Sequence, residues 1–239
     1  MTKVGTLNES NRAAWLERVL KDIPPGLRIL DAGAGEQQYR QFCSHLVYVS
    51  QDFARYDGKG NNTGLQMGAW DQSKLDVISD ISSIPLEDAS FDAIMCVEVL
   101  EHLPNPLLAI KEFNRLLKEG GRLIITAPFG SLTHFAPYHF STGFNTYYYE
   151  QHLKENGFDI TEITANGNYF EALAQEMRRI PFAADKYSHE RISIVERLCI
   201  KYLLKMLERL SDNDTGSSML LCHGYHVLAR KTTAAVQRL

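Results

Sequence analysis

Two glycines and an aspartate follow an apolar run near the start of the chain. Residues 27–36 have the sequence L-R-I-L-D-A-G-A-G-E, with Asp31 shortly before Gly33 and Gly35. This pattern is typical of a parallel strand that turns into a helix beneath a bound nucleotide, since a Cβ in the turn would block the backbone angles and the close approach of a ligand. The segment therefore predicts a nucleotide-type cofactor site.

The residues around this turn indicate which cofactor fits. A dinucleotide site needs a third glycine where the helix packs on the strand, and that position is Gln38. The Asp31 carboxylate would repel a pyrophosphate and attract a cation. S-adenosylmethionine carries a sulfonium and an ammonium group but no phosphate, so the sequence favours it over NAD. An NAD-dependent oxidoreductase and a non-catalytic binding module remain as alternatives.

Four acidic residues follow four predicted parallel strands, which span residues 27–32, 46–51, 75–79 and 91–97. These residues are Asp31, Asp52, Asp80 and Glu98. The carboxyl ends of strands in a doubly wound sheet face one crevice, which is where ligands of such sheets bind. Asp52 lies about twenty residues beyond the glycine turn, the spacing at which a carboxylate accepts hydrogen bonds from ribose hydroxyls. The four acids therefore predict the rim of a nucleoside site.

Two histidines lie in a polar and aromatic segment, residues 130–146, after a fifth predicted strand at 121–127. They are His134 and His139. An imidazole is the natural base near neutral pH, and this segment would lie at the same edge of the sheet as the acids. Both are candidate catalytic bases for a hydroxyl acceptor, with His139 favoured. The alternative is that they pack in the loop and bond to the backbone.

The alternation of apolar segments predicts a single α/β domain. We expect a Rossmann-like, doubly wound, mixed seven-stranded sheet with an antiparallel last strand at its edge and a helical insertion before that strand. The predicted segments are a leading helix (1–24), a cofactor-binding core (25–165), a helical cap over the acceptor (166–211), and the last strand with a tail (212–239). Within the core, residues 37–44 should form a helix. The glycine-rich residues 54–74 should be irregular, with a helical turn near 65–70.

Composition limits the partners of the chain. Its 239 residues carry a formal net charge of −4, which argues against a nucleic-acid partner. The four cysteines match neither a zinc pattern nor a disulfide framework. We see no signal peptide and no apolar run of membrane-spanning length, so a cytoplasmic protein without stable membrane insertion is expected. The helical stripe starting at Ile192 and including Val195 and Cys199 could pack on the domain, form a homodimer interface or lie on a membrane surface.

Five motifs follow one another between residues 31 and 128. They are D-A-G-A-G at 31–35, Q-D-F at 51–53, S-D-I at 79–81, F-D-A-I-M-C-V-E-V-L-E-H-L at 91–103, and G-G-R-L-I-I-T-A-P at 120–128. With these motifs in this order, residues 25–164 resemble the class I S-adenosylmethionine-dependent methyltransferases, in particular those with a ubiquinone-type methyltransferase domain. The resemblance implies S-adenosylmethionine as the cofactor.

The resemblance also implies a role for each motif. The backbone at Ala32, Gly33 and Gly35 would accommodate the methionine half of the cofactor, with Asp31 nearby, and residues 96–98, including Val97 and Glu98, would close over it. Asp52 would hold the ribose hydroxyls and Phe53 would lie on the adenine, whose amine and ring nitrogen Asp80 and the Ile81 backbone would recognise. Apart from the resemblance, the polar loop at residues 130–146, with its histidines and tyrosine, predicts that the acceptor is a hydroxylated small molecule, such as a sugar or an aromatic metabolite.

The E-x-x-E-H string at residues 98–102 allows one more interpretation. Its spacing places Glu98, Glu101 and His102 on adjoining helical turns, and His134 or His139 could complete a site for a divalent cation. However, the string is common among relatives that use no metal, where Glu101 and His102 bond within the fold. We therefore predict no metal here.

Overall fold

The computed structural model describes residues 2–232, so most of the predicted tail lies outside the described residues. One seven-stranded sheet organises the chain. The strands are β1 (Arg28–Ala32), β2 (Val47–Asp52), β3 (Val77–Ile78), β4 (Phe91–Val97), β5 (Leu117–Pro128), β6 (Phe158–Asn166) and β7 (Gly224–Lys231). Their order across the sheet is β3-β2-β1-β4-β5-β7-β6.

The pairing confirms the predicted mixed, doubly wound sheet. β1 pairs in parallel with β2 on one side and β4 on the other, so the strand order reverses at β1. β5 is parallel to β4, and β7 runs antiparallel to β5. The crevice at such a reversal is the usual ligand site of an open α/β sheet.

The predicted edge position of the last strand is wrong. β7 lies between β5 and β6, and β6 forms the edge. The first four residues of β7 are all buried, whereas exposed positions recur along β6. A strand that is buried on both faces gains more from two neighbours, and a partly exposed strand tolerates the edge.

Five α-helices accompany the strands within the described residues. They are α1 (Asn8–Lys21), α2 (Pro106–Leu116), α3 (Thr146–Glu155), α4 (Tyr169–Ala183) and α5 (Ile194–Asp212). Local signals set several of their starts: Pro106 lies in the first turn of α2, where a missing N–H costs nothing. The Asn145 side chain accepts a hydrogen bond from the Tyr148 amide at the start of α3. Ser193 and Glu196 form a capping box on α5.

Two local predictions between β1 and β3 are wrong. Residues 37–44 contain only a short 3₁₀ turn, Arg40–Cys43, instead of a helix. Residues 54–74 are irregular as predicted but form no helical turn near 65–70, because Leu65 instead bridges to His134. A long-range backbone contact has replaced a local one in this segment.

The described residues form two compact units. One comprises residues 13–164 and 224–232 and contains most of the sheet, with a core that includes Leu16, Leu20, Ile29, Met95 and Ile124. The other comprises residues 2–12 and 165–223. That residues 166–211 cap an acceptor site stays a prediction.

The smaller unit is held together by an apolar cluster of Val4, Ala174, Leu204 and Leu207. The buried face of α5 therefore differs from the predicted stripe. Val195 and Cys199, which belong to that stripe, are exposed. Among residues 2–232, no helix combines the length and apolar character needed to cross a bilayer.

Candidate functional site

The glycine turn after β1 is tied to the end of β2. Gly33 and Gly35 both have positive φ angles, +78° and +51°. The amides of Gly33 and Ala34 donate to the Gln51 carbonyl at 2.8 and 2.9 Å, and the Gly35 amide donates to the Asp52 carboxylate at 3.0 Å. These amides therefore already donate hydrogen bonds within the protein. No α-helix begins directly after the turn, since residues 37–44 contain only a 3₁₀ turn. A pyrophosphate needs free amides at a helix N-terminus, so this geometry disfavours a dinucleotide.

Asp31, the acid beside this turn, is buried within β1. Its carboxylate accepts a hydrogen bond from the Tyr48 hydroxyl at 2.5 Å. Burial raises the pKa of Asp31 to about 7, although the Tyr48 bond opposes this shift, and the charge of Asp52 adds to it. Asp31 therefore carries only part of a negative charge at neutral pH, and its attraction for a cation is weaker than that of an exposed carboxylate. The neighbouring Ala32 is fully buried, which leaves its backbone as the available contact.

Asp52 and Phe53 lie at the carboxyl end of β2. The second Asp52 oxygen accepts bonds from the Ala54 amide at 3.0 Å and from the Gln72 side chain at 2.9 Å. The Phe53 ring meets the edge of Tyr138 at a centroid distance of 4.9 Å. Gln72 and Tyr138 belong to this part of the site, although sequence reasoning did not single out Gln72 and gave Tyr138 no role.

Asp80 and Ile81 follow β3 at the same edge of the sheet. Asp80 is exposed and accepts bonds from the Ser82 hydroxyl at 2.6 Å and the Ser82 amide at 2.8 Å. These hydrogen bonds lower the pKa of Asp80, so it is ionised at neutral pH. Ile81 is buried beside it. Asp80 is thus an available acceptor at the rim.

The turn that follows β4 has a strained backbone and lies against the glycine turn. Val97 ends the strand, and Glu98 has a φ of +54°, which is uncommon for a residue with a side chain. The Glu98 amide and carboxylate both bond to Thr126 of β5 at 2.8 Å, which holds this conformation. Val99 then lies on Gly33, where an added Cβ would come within 2.5 Å of the Val99 side chain. The turn after β4 is therefore packed directly on the turn after β1.

The glycine-rich segment 54–74 docks on the histidine-bearing loop after β5. The Leu65 amide donates to Thr133, the Phe135 amide donates to Leu65, and the Asn61 amide donates to Ala136, each at 3.0 Å. A Cβ at Gly60 or Gly64 would collide with backbone carbonyls of that loop. The glycines thus permit two irregular segments to pack backbone to backbone.

An aromatic series joins these two segments to the glycine turn. Trp70 lies on Gly35, whose added Cβ would be 2.6 Å from the indole ring. The Trp70 ring contacts Phe135 at 5.4 Å, and Phe135 stacks on Tyr56 at 4.5 Å and on His102 at 5.0 Å. Sequence reasoning did not include Trp70 or Phe135 in the site. A lone tryptophan within a glycine-rich segment was the available signal.

Three predicted histidine and glutamate positions converge at this edge. Glu101 and His102 lie in the 3₁₀ turn Leu100–His102, and the Glu101 carbonyl accepts bonds from the Phe140 and Ser141 amides of the loop. The His134 Nε2 and the His102 Nε2 lie 3.8 and 3.7 Å from the Glu101 carboxylate. Of the residues whose spacing allowed a joint site, Glu101, His102 and His134 therefore lie close together. The Glu98 carboxylate is instead bonded to Thr126.

Burial and mutual charge set the protonation of this cluster. Burial raises the pKa of the Glu101 carboxyl and lowers the pKa of His102 to about 3. Burial also opposes a charged His134, but the neighbouring Glu101 raises the pKa of His134 overall. Burial and the charge of His134 lower the pKa of His139, whose Nε2 lies 3.1 Å from the Ser131 hydroxyl.

Comparison with known proteins adds independent information. Residues 30–125 match the family described as a methyltransferase domain. The chain is 31% identical to demethylmenaquinone methyltransferase of Staphylococcus aureus (strain MRSA252) over 114 residues, 46% of this chain and 47% of that protein. It is 34% identical to the ubiquinone biosynthesis O-methyltransferase of Xylella fastidiosa (strain 9a5c) over 118 residues, 46% of each. The matched part thus spans about half the length of these relatives.

The fold is shared with solved methyltransferases. A SAM-dependent methyltransferase from Archaeoglobus fulgidus superposes with a TM-score of 0.56 at 17% identity, covering 93% of this chain and 94% of that one. The glycine turn, the acidic strand ends and the family match coincide in the same stretch of chain. Residues 30–125 therefore match the methyltransferase domain family, and the chain shares the fold of solved S-adenosylmethionine-dependent methyltransferases.

Proposed function

We propose that this protein transfers the methyl group of S-adenosylmethionine to a hydroxyl oxygen of a small aromatic acceptor. The observation that carries the proposal is the packing of Val99 on Gly33, because it brings the turn of Glu101 and His102 against the glycine turn. The cofactor's turn and the histidine-bearing loop thus share one edge of the sheet. A methyl donor and its acceptor must meet at such a junction.

The methionine half of the cofactor is assigned to the glycine turn. The backbone at Ala32, Gly33 and Gly35 approaches it, Asp31 lies behind the turn, and Val97 and Glu98 close over it. The adenosine half is assigned to the next two strand ends. There Asp52 accepts from the ribose, Phe53 lies on the adenine, and Asp80 with Ile81 recognises its edge. Asp80 supports this assignment because it is exposed and ionised at the rim.

The acceptor is a hydroxylated aromatic compound rather than a sugar. Phe135, Tyr138 and Phe53 provide aromatic surface around the histidines. The O-methyltransferase of Xylella fastidiosa is named for ubiquinone biosynthesis, and the Staphylococcus aureus relative for demethylmenaquinone. Both names indicate quinone-type ring substrates, which suits an aromatic-lined site.

The reaction is an in-line displacement on an already activated donor, so the protein mainly orients the two reactants and excludes water. The acceptor hydroxyl gives its proton to the imidazole of His139, and its oxygen forms a bond to the methyl carbon. The bond from that carbon to sulfur breaks, and the thioether leaves. Ser131 lies within hydrogen-bonding distance of this ring. His134 is the second candidate base.

Ligand-induced stabilisation tests the cofactor. S-adenosylhomocysteine should raise the melting temperature and NAD should not, because only a ligand of the native state stabilises it. Asp52→Asn should reduce the increase in melting temperature. Asp22→Asn should not, because Asp22 is an exposed residue that pairs with Arg122. Stabilisation by NAD alone would favour the oxidoreductase alternative.

Turnover with a methyl-labelled donor tests the reaction. We expect label on oxygen with hydroxylated aromatic acceptors, and a loss of roughly 100-fold in kcat in His139→Gln at unchanged S-adenosylhomocysteine affinity. The matched control is His152→Gln, since His152 lies beside Glu155 on the surface of α3. Full turnover after replacing both His134 and His139 with Ala would exclude a histidine base. Cofactor binding without turnover on any acceptor would favour a non-catalytic module.

A further inference from the structure

Helix α5 carries large apolar residues on its exposed side. Ile194, Val195, Leu198 and Tyr202 are 78%, 69%, 58% and 72% exposed, and we refer to these four residues as the α5 face. With 3.6 residues per turn, they lie within about 100° of one another around the helix axis. Leu204 and Leu207, which pack in the buried cluster of the smaller unit, lie on the opposite side. The structure therefore covers one apolar side of this helix and leaves another exposed to solvent.

The end of α4 and the turn after it add aromatic surface near the start of α5. Phe182 and Tyr187 are both exposed. The Lys186 Nζ lies 5.6 Å from the centroid of the Phe182 ring and 5.3 Å from that of the Tyr187 ring. Phe182 also lines a cavity of about 430 Å³ together with Arg191 and Arg197. Aromatic rings and basic groups are thus intermixed on this surface.

Basic side chains continue the exposed side of α5 towards its C-terminus. Lys201, Lys205 and Arg209 are all exposed, and in the described part of the chain no carboxylate forms an ion pair with any of them. Glu196 and Glu208 of the same helix both accept hydrogen bonds within the protein. The exposed side of α5 is therefore apolar in its first half and positively charged in its second half.

The local charge is opposite in sign to that of the whole chain. Residues 178–212 contain eight Lys and Arg against five Asp and Glu, whereas the whole chain contains 25 and 29. A partner for this surface should therefore be negatively charged, and it should also accept apolar side chains. A nucleic acid offers phosphates but no place for exposed aliphatic residues, whereas an anionic bilayer offers phosphates and acyl chains side by side.

A second copy of the chain fits this surface less well. If two α5 helices paired in parallel along their length, the basic half of one would meet the basic half of the other. If they paired antiparallel, the apolar half of each would meet the basic half of the other. Both arrangements cover the apolar residues only by burying charge that has no partner.

We propose that the α5 face docks on the surface of a bilayer that contains anionic lipid. The helix lies along the bilayer surface, and the apolar half enters the boundary between headgroups and acyl chains. Lys201, Lys205 and Arg209 contact the lipid phosphates, and Lys186 with its two aromatic neighbours adds to the same interface. The proposal rests on exposure and charge alone, so it does not depend on the proposed reaction.

Vesicle binding by the full chain tests the proposal. The wild-type protein should co-sediment with phosphatidylcholine vesicles that contain phosphatidylglycerol, and much less with phosphatidylcholine alone. Added salt should weaken the binding, because it screens the basic groups. A polarity-sensitive dye on Cys199, the exposed cysteine next to Leu198, should emit at shorter wavelength once vesicles are bound. Failure of the wild-type protein to bind phosphatidylglycerol vesicles would overturn the proposal.

Two double variants separate the apolar and the charged contributions. Ile194→Ser with Leu198→Ser removes apolar contact, and Lys201→Glu with Lys205→Glu reverses two charges. Each pair of substitutions should weaken vesicle affinity at least roughly tenfold. Lys201→Arg with Lys205→Arg keeps the charge and should retain wild-type affinity.

Leu108→Ser with Lys111→Glu is the matched control, because both residues are exposed on α2. It should bind vesicles as the wild type does. Circular dichroism would establish that each variant is folded, and S-adenosylhomocysteine binding on the same samples reports separately on the proposed function. Wild-type affinity in the folded charge-reversal variant would overturn the proposal. So would a dimer in sedimentation velocity that Ile194→Ser with Leu198→Ser converts to a monomer, since a second copy would then cover the α5 face.

Discussion

The indole of Trp70 lies directly on Gly35, so a residue in the irregular segment 54–74 covers the turn assigned to the cofactor. An added Cβ at Gly35 would approach the Trp70 ring to 2.6 Å. The same indole contacts Phe135, which stacks on His102. Through these contacts the glycine turn, the glycine-rich segment and the histidine-bearing loop are parts of one packed surface.

Gly35→Ala should weaken S-adenosylhomocysteine binding at least tenfold and cost about 1–2 kcal/mol of stability. The stability cost comes from a side chain at positive φ, and the lost affinity comes from displacement of Trp70. Gly26→Ala is the matched control, since Gly26 has a φ of +81° but no atom near its added Cβ. It should lose stability without losing affinity. Calorimetry and urea unfolding measure the two quantities, and wild-type affinity in Gly35→Ala would contradict the assignment.

Cofactor binding should change the fluorescence of Trp70. The chain has two tryptophans, Trp15 and Trp70, and Trp15 lies on α1 with its indole bonded to Glu162. S-adenosylhomocysteine should therefore alter the emission of the wild-type protein and of Trp15→Phe. Trp70→Phe should bind the ligand, as shown by calorimetry, with no change in emission. A retained signal in Trp70→Phe would place the ligand away from the Gly35 turn.

Gly64→Ala should detach the glycine-rich segment from the histidine-bearing loop. The added Cβ would collide with the Thr133 carbonyl, which accepts the Leu65 amide. We expect faster hydrogen exchange over residues 130–144 and a fall in turnover of about tenfold or more, because the loop carries His134 and His139. Gly68→Ala is the control, since Gly68 lies in the same segment at positive φ with open space around it. Equal exchange in both variants would refute the docking role.

Asp31 should make the protein less stable as pH rises from about 4 to 7. Its pKa is raised to about 7 in the folded state, first by burial, and is about 3.9 when unfolded. In this window the folded state binds more protons than the unfolded state, so the free energy of unfolding falls with pH, by up to about 4 kcal/mol. Asp31→Asn should show a flatter dependence in urea unfolding. An unchanged slope would mean that Asp31 titrates normally.

Tyr48→Phe provides the converse test of the same carboxyl group. The Tyr48 hydrogen bond stabilises the ionised form of Asp31 and so lowers its pKa. Removing the hydroxyl should raise the pKa of Asp31 further and extend the decline in stability above pH 7. A decline that ends at the same pH as in the wild type would show that this bond does not act on Asp31.

Much of the sheet, and of the edge at which we propose that the cofactor binds, could be predicted from sequence. The predicted bounds of β4 match the structure, and Asp52, Asp80 and Glu98 lie at the carboxyl ends of β2, β3 and β4. The predicted helix at 37–44 and the predicted edge position of β7 were wrong. Both errors concern tertiary packing, which overrides local pattern where a segment is short or has two available neighbours.

By itself, the sequence determined the approximate positions of the strands, the glycine turn and the acidic residues at the strand ends, because apolar periodicity and the need for glycine at positive φ act between near neighbours. Only the tertiary structure decided that Leu65 pairs with His134, that Trp70 covers Gly35, and that two histidines face the buried Glu101. These contacts join residues that are distant in the chain. Their free energies depend on burial and shape at the meeting point, which no local pattern records.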